Sequence, residues 1–206
     1  MTSIVIHHAP QTRAAIVLWT LEELGVPYES KKVDFKSGEH KSEGYAKINP
    51  NKRVPAMIVD GRPMFESTAM VIFLAEKFGA DKKLWPTDDA GRAEAMGWTV
   101  WGTAQLGHDI HGLMMASSER VPKELHHEPM AKLCRGAVET DLKVLDARLA
   151  EHPYVMGETF TLADVLPAMA CFFAGMGGVD LAAYKHVSAW VGKLQAREAL
   201  QRAQAM

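Results

Sequence analysis

The sequence predicts an α/β unit built on a mixed four-stranded sheet with helices, followed by an all-α unit. Three observations predict it. The first 80 residues read in order as strand, helix, strand, irregular helix, hairpin and helix. A strand–helix–strand crossover implies a parallel pair, and a hairpin implies an antiparallel one. Beyond residue 90 no segment carries a strand pattern, while long segments repeat apolar residues at helical spacing.

Each element has its own signal. Residues 3–7 are short and β-branched, as a strand requires. From residue 12 to 25, Ala15, Ile16, Leu18, Trp19, Leu21 and Leu24 recur at helical spacing, and Gly25 then Pro27 mark the stop. Residues 28–35 read as a second strand, and the polar stretch 37–49 holds at most a short helix. Residues 56–59 and 62–64 read as strands around the hairpin signal Asp60-Gly61. Residues 67–78 form a helix with Met70, Val71, Leu74 and Phe78 on one face. The expected division is a domain over 1–80, a polar linker over 81–90 and a helical domain over 91–206. In the last, helices are expected over 91–116, 128–151, 161–174 and 187–197.

Composition narrows the function. The 206 residues are 48% hydrophobic and 23% charged, with a net charge of −2. With no run of one sign, nucleic acid and anionic membranes are not expected as partners. Cys134 and Cys171 form no CxxC pair, so neither a disulfide scaffold nor a zinc finger is expected. The N-terminus has neither a basic segment nor a long apolar one, so no signal peptide is expected. No apolar stretch approaches the roughly 20 residues of a membrane helix. A cytoplasmic protein is the expectation.

Val54-Pro55 precedes the third strand. Such a proline is ordinarily trans. A cis bond would turn the Val54 N–H and C=O outward, able to pair with an extended peptide by strand addition. Glu66-Ser67 stands where the next helix begins. Ser67 is an N-cap in the plain reading, and a capped helix start also favours a carboxylate. Glu66 beside it suits an ammonium. Together these describe a grip on the free end of a small peptide. Thr12 stands where the first helix begins. It is either an N-cap hydroxyl or a donor to a sulfur anion. A free thiol has a pKa of about 8.5. A hydrogen bond to a charged group is worth roughly 1.5–3 kcal/mol, or about one to two pKa units, enough to make a bound thiol nucleophilic near pH 7.

With these residues in place the whole chain resembles the cytosolic glutathione S-transferases, with theta-like and bacterial features. The residues that carry the resemblance are Asn49-Pro50-Asn51-Lys52-Arg53-Val54-Pro55, Glu66-Ser67 and residues 21–28 (LEELGVPY). Gly38-Glu39-His40-Lys41 and residues 157–164 (GETFTLAD) add to it. Thr161 and Asp164 in the last segment read as a capping box, a feature of fold and not of chemistry. The resemblance implies a thioredoxin-like first domain and an all-α second one. It implies that Val54, next to Pro55, binds the cysteinyl backbone of glutathione. Glu66 and Ser67 would hold the γ-glutamyl end, and His40, Lys41 and Arg53 the glycine carboxylate, which wants cationic donors. Thr12 matches the position of the family's catalytic serine. Three departures stand out: Thr12 for serine, Ile16 where many relatives carry arginine, and Lys52 where glycine is common. Arg13 is a second source of positive charge beside the thiol, or a plain surface arginine.

The implied reaction is transfer of glutathione, as co-substrate, to a small hydrophobic electrophile, in detoxification or in a dedicated pathway. The implied assembly is a homodimer, with Phe65 and the helix after Ser67 as interface elements. The electrophile is expected between the domains, near Trp98, Trp101, Leu106, His108, His111, Met114 and Met115, because apolar pockets favour domain seams and methionine adapts to varied ligands. Ordinary core is the alternative for each of these. His108 and His111 share a helical face, but no third ligand is evident, so no metal is expected. His126-His127 reads as a solvated loop. The rival functions are a glutathione-dependent disulfide reductase, a non-catalytic glutathione-fold binding protein and, least favoured, an isomerase of maleyl-type acids, whose serine-serine-cysteine motif is absent.

Overall fold

The computed structural model describes residues 2–206, apart from the side chain of Met176. Strand β1 (Ile4–His8) lies at the centre of the sheet, whose order is β2-β1-β3-β4. It pairs parallel with β2 (Glu29–Lys32) and antiparallel with β3 (Ala56–Val59), which pairs antiparallel with β4 (Arg62–Phe65). The strand–helix–strand and hairpin signals therefore give the mixed sheet expected. Asp60 and Gly61 both have positive φ, 48° and 79°, as the two central residues of a type I′ hairpin require. β2 is shorter than the sequence suggests. The chain leaves the strand after Lys32, and Asp34 Oδ1 accepts the Lys36 N–H at 2.8 Å to close a turn. β2 is wholly exposed and β4 carries Pro63, both suited to sheet edges.

Helix α1 (Ala14–Leu24) buries Ile16, Val17, Leu18, Trp19, Leu21 and Leu24. It ends on Gly25 at φ 58°, whose N–H reaches Leu21 O at 2.9 Å, the left-handed cap that glycine supplies. Helix α2 (Glu43–Ala46) is a single turn, and α3 (Ser67–Phe78) buries Met70, Val71 and Leu74.

The chain falls into two compact units: everything up to Trp85 together with Arg197–Met206, and Pro86–Ala196. The first unit reclaims the C-terminus, which the sequence reading left with the helical part. Helix α9 (Glu198–Gln204) packs on α1. Arg197 makes two bonds to Glu23, at 2.5 and 2.7 Å, and Arg202 reaches Glu22 at 2.6 Å. Charge pairing across a long sequence separation leaves no periodic trace, so it was not foreseen.

The second unit holds α4 (Asp89–Trp101), α5 (Gly107–Ser117), α6 (Glu128–Glu151), α7 (Val165–Ala174) and α8 (Lys185–Gln195). The helix expected over 91–116 is two helices joined by a π-turn, Gly102–Leu106. A Cβ on Gly102 would stand 2.5 Å from Pro167 N, so the bare glycine lets α7 approach the turn. The expected capping box is present: Asp164 accepts the Thr161 N–H at 2.9 Å, the Val155 N–H at 3.0 Å and the Trp190 indole at 3.1 Å. His126 is no solvated loop residue. Its Nε2 lies 3.1 Å from Ser118 O and 3.0 Å from Val121 O, while His127 caps α6 by accepting the Met130 N–H.

Asp141 on α6 is 5% exposed, and its Oδ2 has no partner among the described residues. Burial first, then contact with the Asp109 carboxyl, pushes its pKa up to about 6. The folded chain therefore holds a proton on Asp141 where the unfolded chain has released it. Stability falls as pH rises from about 4 to about 6. Asp141→Asn is expected to flatten that fall and to raise stability at pH 7. Urea unfolding at pH 4.5 and 7 checks this. Asp164, also pushed up to about 6 by burial, contributes equally to both proteins and cancels in the comparison.

Candidate functional site

The sheet register assembles one end of the first unit from three distant pieces of chain. His7 stands opposite Ala56, and Ala56 opposite Phe65. Beyond these pairs the segments carrying Ala9, Val54 and Ser67 leave the sheet at the same end. The β1–α1 turn, the loop before β3 and the start of α3 therefore meet at one edge.

The Val54–Pro55 bond is cis. Among the described residues the Val54 N–H and C=O make no hydrogen bond, although Val54 is half-buried. The residue before it is fixed instead. Arg53 O accepts the Tyr45 hydroxyl at 3.1 Å and the Asn49 amide at 2.7 Å. Asn49 Oδ1 accepts the Asn51 N–H at 2.9 Å, so one buried amide ties both ends of the loop. Burial pushes the Tyr45 phenol up to about 12, keeping it a donor. Tyr45 and Asn49 position the loop. Asn49 stood in the sequence only as part of a motif, and Tyr45 gave no signal.

Glu66, not Ser67, takes the cap position of α3, at φ 71° and ψ 111° and with no side-chain cap bond. Ser67 is the first helical residue and is 7% exposed. The Glu66 carboxylate remains exposed above the helix start. Thr12 likewise sits one residue ahead of its expected role, since Arg13 is the cap of α1. Thr12 Oγ1 donates to Ala9 O at 2.6 Å and accepts the Ala14 N–H at 3.3 Å. The hydroxyl thus clasps the turn. Gln11, at its apex, has φ 56° and an exposed side chain; sequence reading passed over it.

The cations assigned to a carboxylate lie on the same unit. His40 stacks on Phe35 at 4.3 Å between ring centres, and its enclosed Nδ1 has no partner among the described residues. Lys41 and Arg53 are exposed. His7 on β1 faces the Tyr45 ring at 6.0 Å. Burial, helped by Lys31, lowers its pKa and keeps it neutral at pH 7.

His108, His111 and Met115 all lie on α5 of the second unit. Both histidines are exposed, as is Met115 at 51%. Among the described residues no three His, Cys, Asp or Glu side chains group as metal ligands, and no helix is long and apolar enough to cross a membrane. Both cysteines lie in the second unit. Cys171 is buried, and burial pushes its thiol up to about 12.

Residues 1–76 match the glutathione S-transferase N-terminal domain, and residues 110–198 the C-terminal domain. Over 195 residues the chain is 30% identical to the glutathione S-transferase GstB of Escherichia coli, covering 93% of this chain and 92% of that one. The chain belongs to the glutathione S-transferase family. Another relative, the disulfide-bond oxidoreductase YghU of E. coli, is 31% identical over 215 residues, with 92% of this chain and 69% of YghU covered. A Dictyostelium discoideum protein with a glutathione S-transferase domain is 32% identical over 160 residues, a match spanning 74% of this chain but only 60% of its relative. A glutathione transferase from Burkholderia graminis, solved with two glutathione molecules bound per subunit, superposes with a TM-score of 0.87 at 27% identity. That superposition covers 98% of this chain and 87% of the other.

Lys52 closes the loop at φ 55°, a left-handed conformation that disfavours any residue with a Cβ. Its bond to Glu43, at 2.7 Å, is an exposed ion pair of small worth. Lys52→Gly is expected to stabilise the chain by up to about 1 kcal/mol, because relief of strain outweighs the added freedom of the unfolded chain. Thermal unfolding of the variant beside the parent checks this; a lower midpoint would refute it.

Proposed function

We propose that this chain is a glutathione S-transferase that ionises the thiol of glutathione and directs it at a small hydrophobic electrophile. The observation that carries the reading is Val54, with both main-chain groups unpartnered, at the same end of the sheet as a helix start and a turn. Glutathione's cysteinyl residue pairs there in the antiparallel manner. Its γ-glutamyl carboxylate meets Ser67 and the first turn of α3, where N–H groups and the helix dipole favour an anion. Its ammonium meets Glu66. The glycine carboxylate extends toward His40, Lys41 and Arg53. The sulfur falls at the β1–α1 turn, at Thr12 and its neighbours. The thiolate then attacks carbon, displacing a leaving group or adding to a double bond. No protein nucleophile or metal takes part. His108, His111 and Met115 remain the candidates for the electrophile's surroundings.

The reading includes a cytoplasmic, detoxifying role and a homodimer, for which Phe65, 42% exposed, and α3 offer the contact. A monomer mass by light scattering would rule the dimer out.

A second reading is favoured by the likeness to YghU and by the two glutathione molecules of the Burkholderia structure. Here a glutathione thiolate attacks a mixed disulfide of glutathione, releases the partner thiolate and leaves glutathione disulfide. With no cysteine in the first unit, the attacking sulfur would have to be glutathione's own.

Calorimetric titration with glutathione and with S-methylglutathione tests the site. Ser67→Ala is expected to weaken both roughly tenfold, as loss of one hydrogen bond to a charged group requires. Turnover of 1-chloro-2,4-dinitrobenzene supports the transferase, whereas turnover only of a glutathione–mercaptoethanol disulfide supports the reductase. Binding without either turnover leaves a non-catalytic glutathione-binding protein.

A further inference from the structure

Resting on that glutathione reading, we infer that the carboxamide of Gln11, and not the hydroxyl of Thr12, donates the side-chain hydrogen bond to glutathione's sulfur. A main-chain carbonyl only accepts. With Thr12 Oγ1 2.6 Å from Ala9 O, the single hydroxyl proton points at that carbonyl. The same oxygen already receives the Ala14 N–H. To meet a thiolate, Thr12 would have to abandon Ala9 and release the turn it closes.

Gln11 has what Thr12 lacks. Its primary amide carries two N–H donors, and among the described residues they have no partner. It sits at the apex of the β1–α1 turn, at the end of the sheet where His7 pairs with Ala56 and Ala56 with Phe65, and where the segments carrying Val54 and Ser67 leave the sheet. Its φ of 56° is costly for a residue with a side chain, yet nothing within the fold uses that side chain. A neutral amide stabilises a thiolate by hydrogen bonding alone. The proton lost on ionisation goes to solvent, and Gln11 forms no covalent bond.

The test is the ultraviolet thiolate absorbance of bound glutathione against pH, in the parent, Gln11→Gly, Thr12→Val and Arg13→Ala. Glycine accepts positive φ, so Gln11→Gly removes the amide and keeps the turn. The parent is expected to hold the thiol below its free pKa. Gln11→Gly should raise that pKa by about one unit or more, and Thr12→Val, which loosens the turn that presents Gln11, should raise it no further than Gln11→Gly does. Affinity for S-methylglutathione, which has no thiol to ionise, should be unchanged in Gln11→Gly. A rise confined to Thr12→Val or to Arg13→Ala overturns the inference. So does a parent whose bound thiol keeps its free pKa, although glutathione binding then still stands. A parent that binds neither glutathione nor S-methylglutathione overturns the glutathione reading itself, and this inference with it.

Discussion

Everything at the candidate site depends on the main-chain pairing of β1 with β3. That ladder sets His7 against Ala56, and the β3–β4 hairpin sets Ala56 against Phe65, so the segments carrying Ala9, Val54 and Ser67 leave the sheet at one end. A slip of one residue would turn every side chain of a strand to the opposite face. It would also part the turn from the loop and the helix start. The register is pinned by burial on one face, where Ile4 and Ile6 of β1 and Met57 of β3, the partner of Ile6, are almost wholly enclosed. It is pinned again at the far end by the Asp60-Gly61 turn, whose two positive φ angles suit only a tight hairpin. The apolar core of the first unit thus sets the geometry of its polar edge.

A second constraint acts on the loop itself. Residues 49–54 contain no regular structure, and among the described residues Val54 keeps two main-chain groups unpaired. Unpaired polar groups away from water are costly, so the segment needs support from its neighbours. Asn49 and Tyr45 supply it by donating together to Arg53 O. Both are buried, which shields their bonds from competition with water. The side chains that hold the site are thus not the groups that would meet a ligand.

Much of this was legible in the sequence. Helices α1, α3 and α6 were legible because each keeps one apolar face over three turns or more. The hairpin and the end of α1 were legible because glycine at those points has a specific backbone meaning. The π-turn at Gly102–Leu106 was not, because one wider turn barely disturbs an apolar pattern spread over 26 residues. Residues 198–206 were assigned to the helical domain, with no helix expected there, because nothing local records the pairs of Arg197 with Glu23 and Arg202 with Glu22. At the site, residue types were legible and hydrogen-bond directions were not. Thr12 and Ser67 both looked like caps, and each stands one residue away from that role. Which carbonyl a hydroxyl meets depends on the path of the chain, here the return of Ala9 toward Thr12, and no spacing rule contains that.

The left-handed residues bring these strands together. Five residues other than glycine have positive φ among those described: Gln11, Lys52, Asp60, Glu66 and Lys83. Asp60 belongs to the hairpin, and Lys83 ends a short 3₁₀ turn. The other three lie in the three segments that meet at the candidate site. Each such conformation costs on the order of 1–3 kcal/mol, and none of the three is an asparagine, which would bear it more easily. Chance would scatter strain over loops. Its concentration at one edge, beside a main chain left unpaired, means that the fold spends stability to present backbone there. A site built this way would hold a ligand chiefly through peptide groups, which every residue type possesses. Its side chains are then freer to vary than its main-chain path, and a threonine can stand at position 12 without loss of the turn it closes.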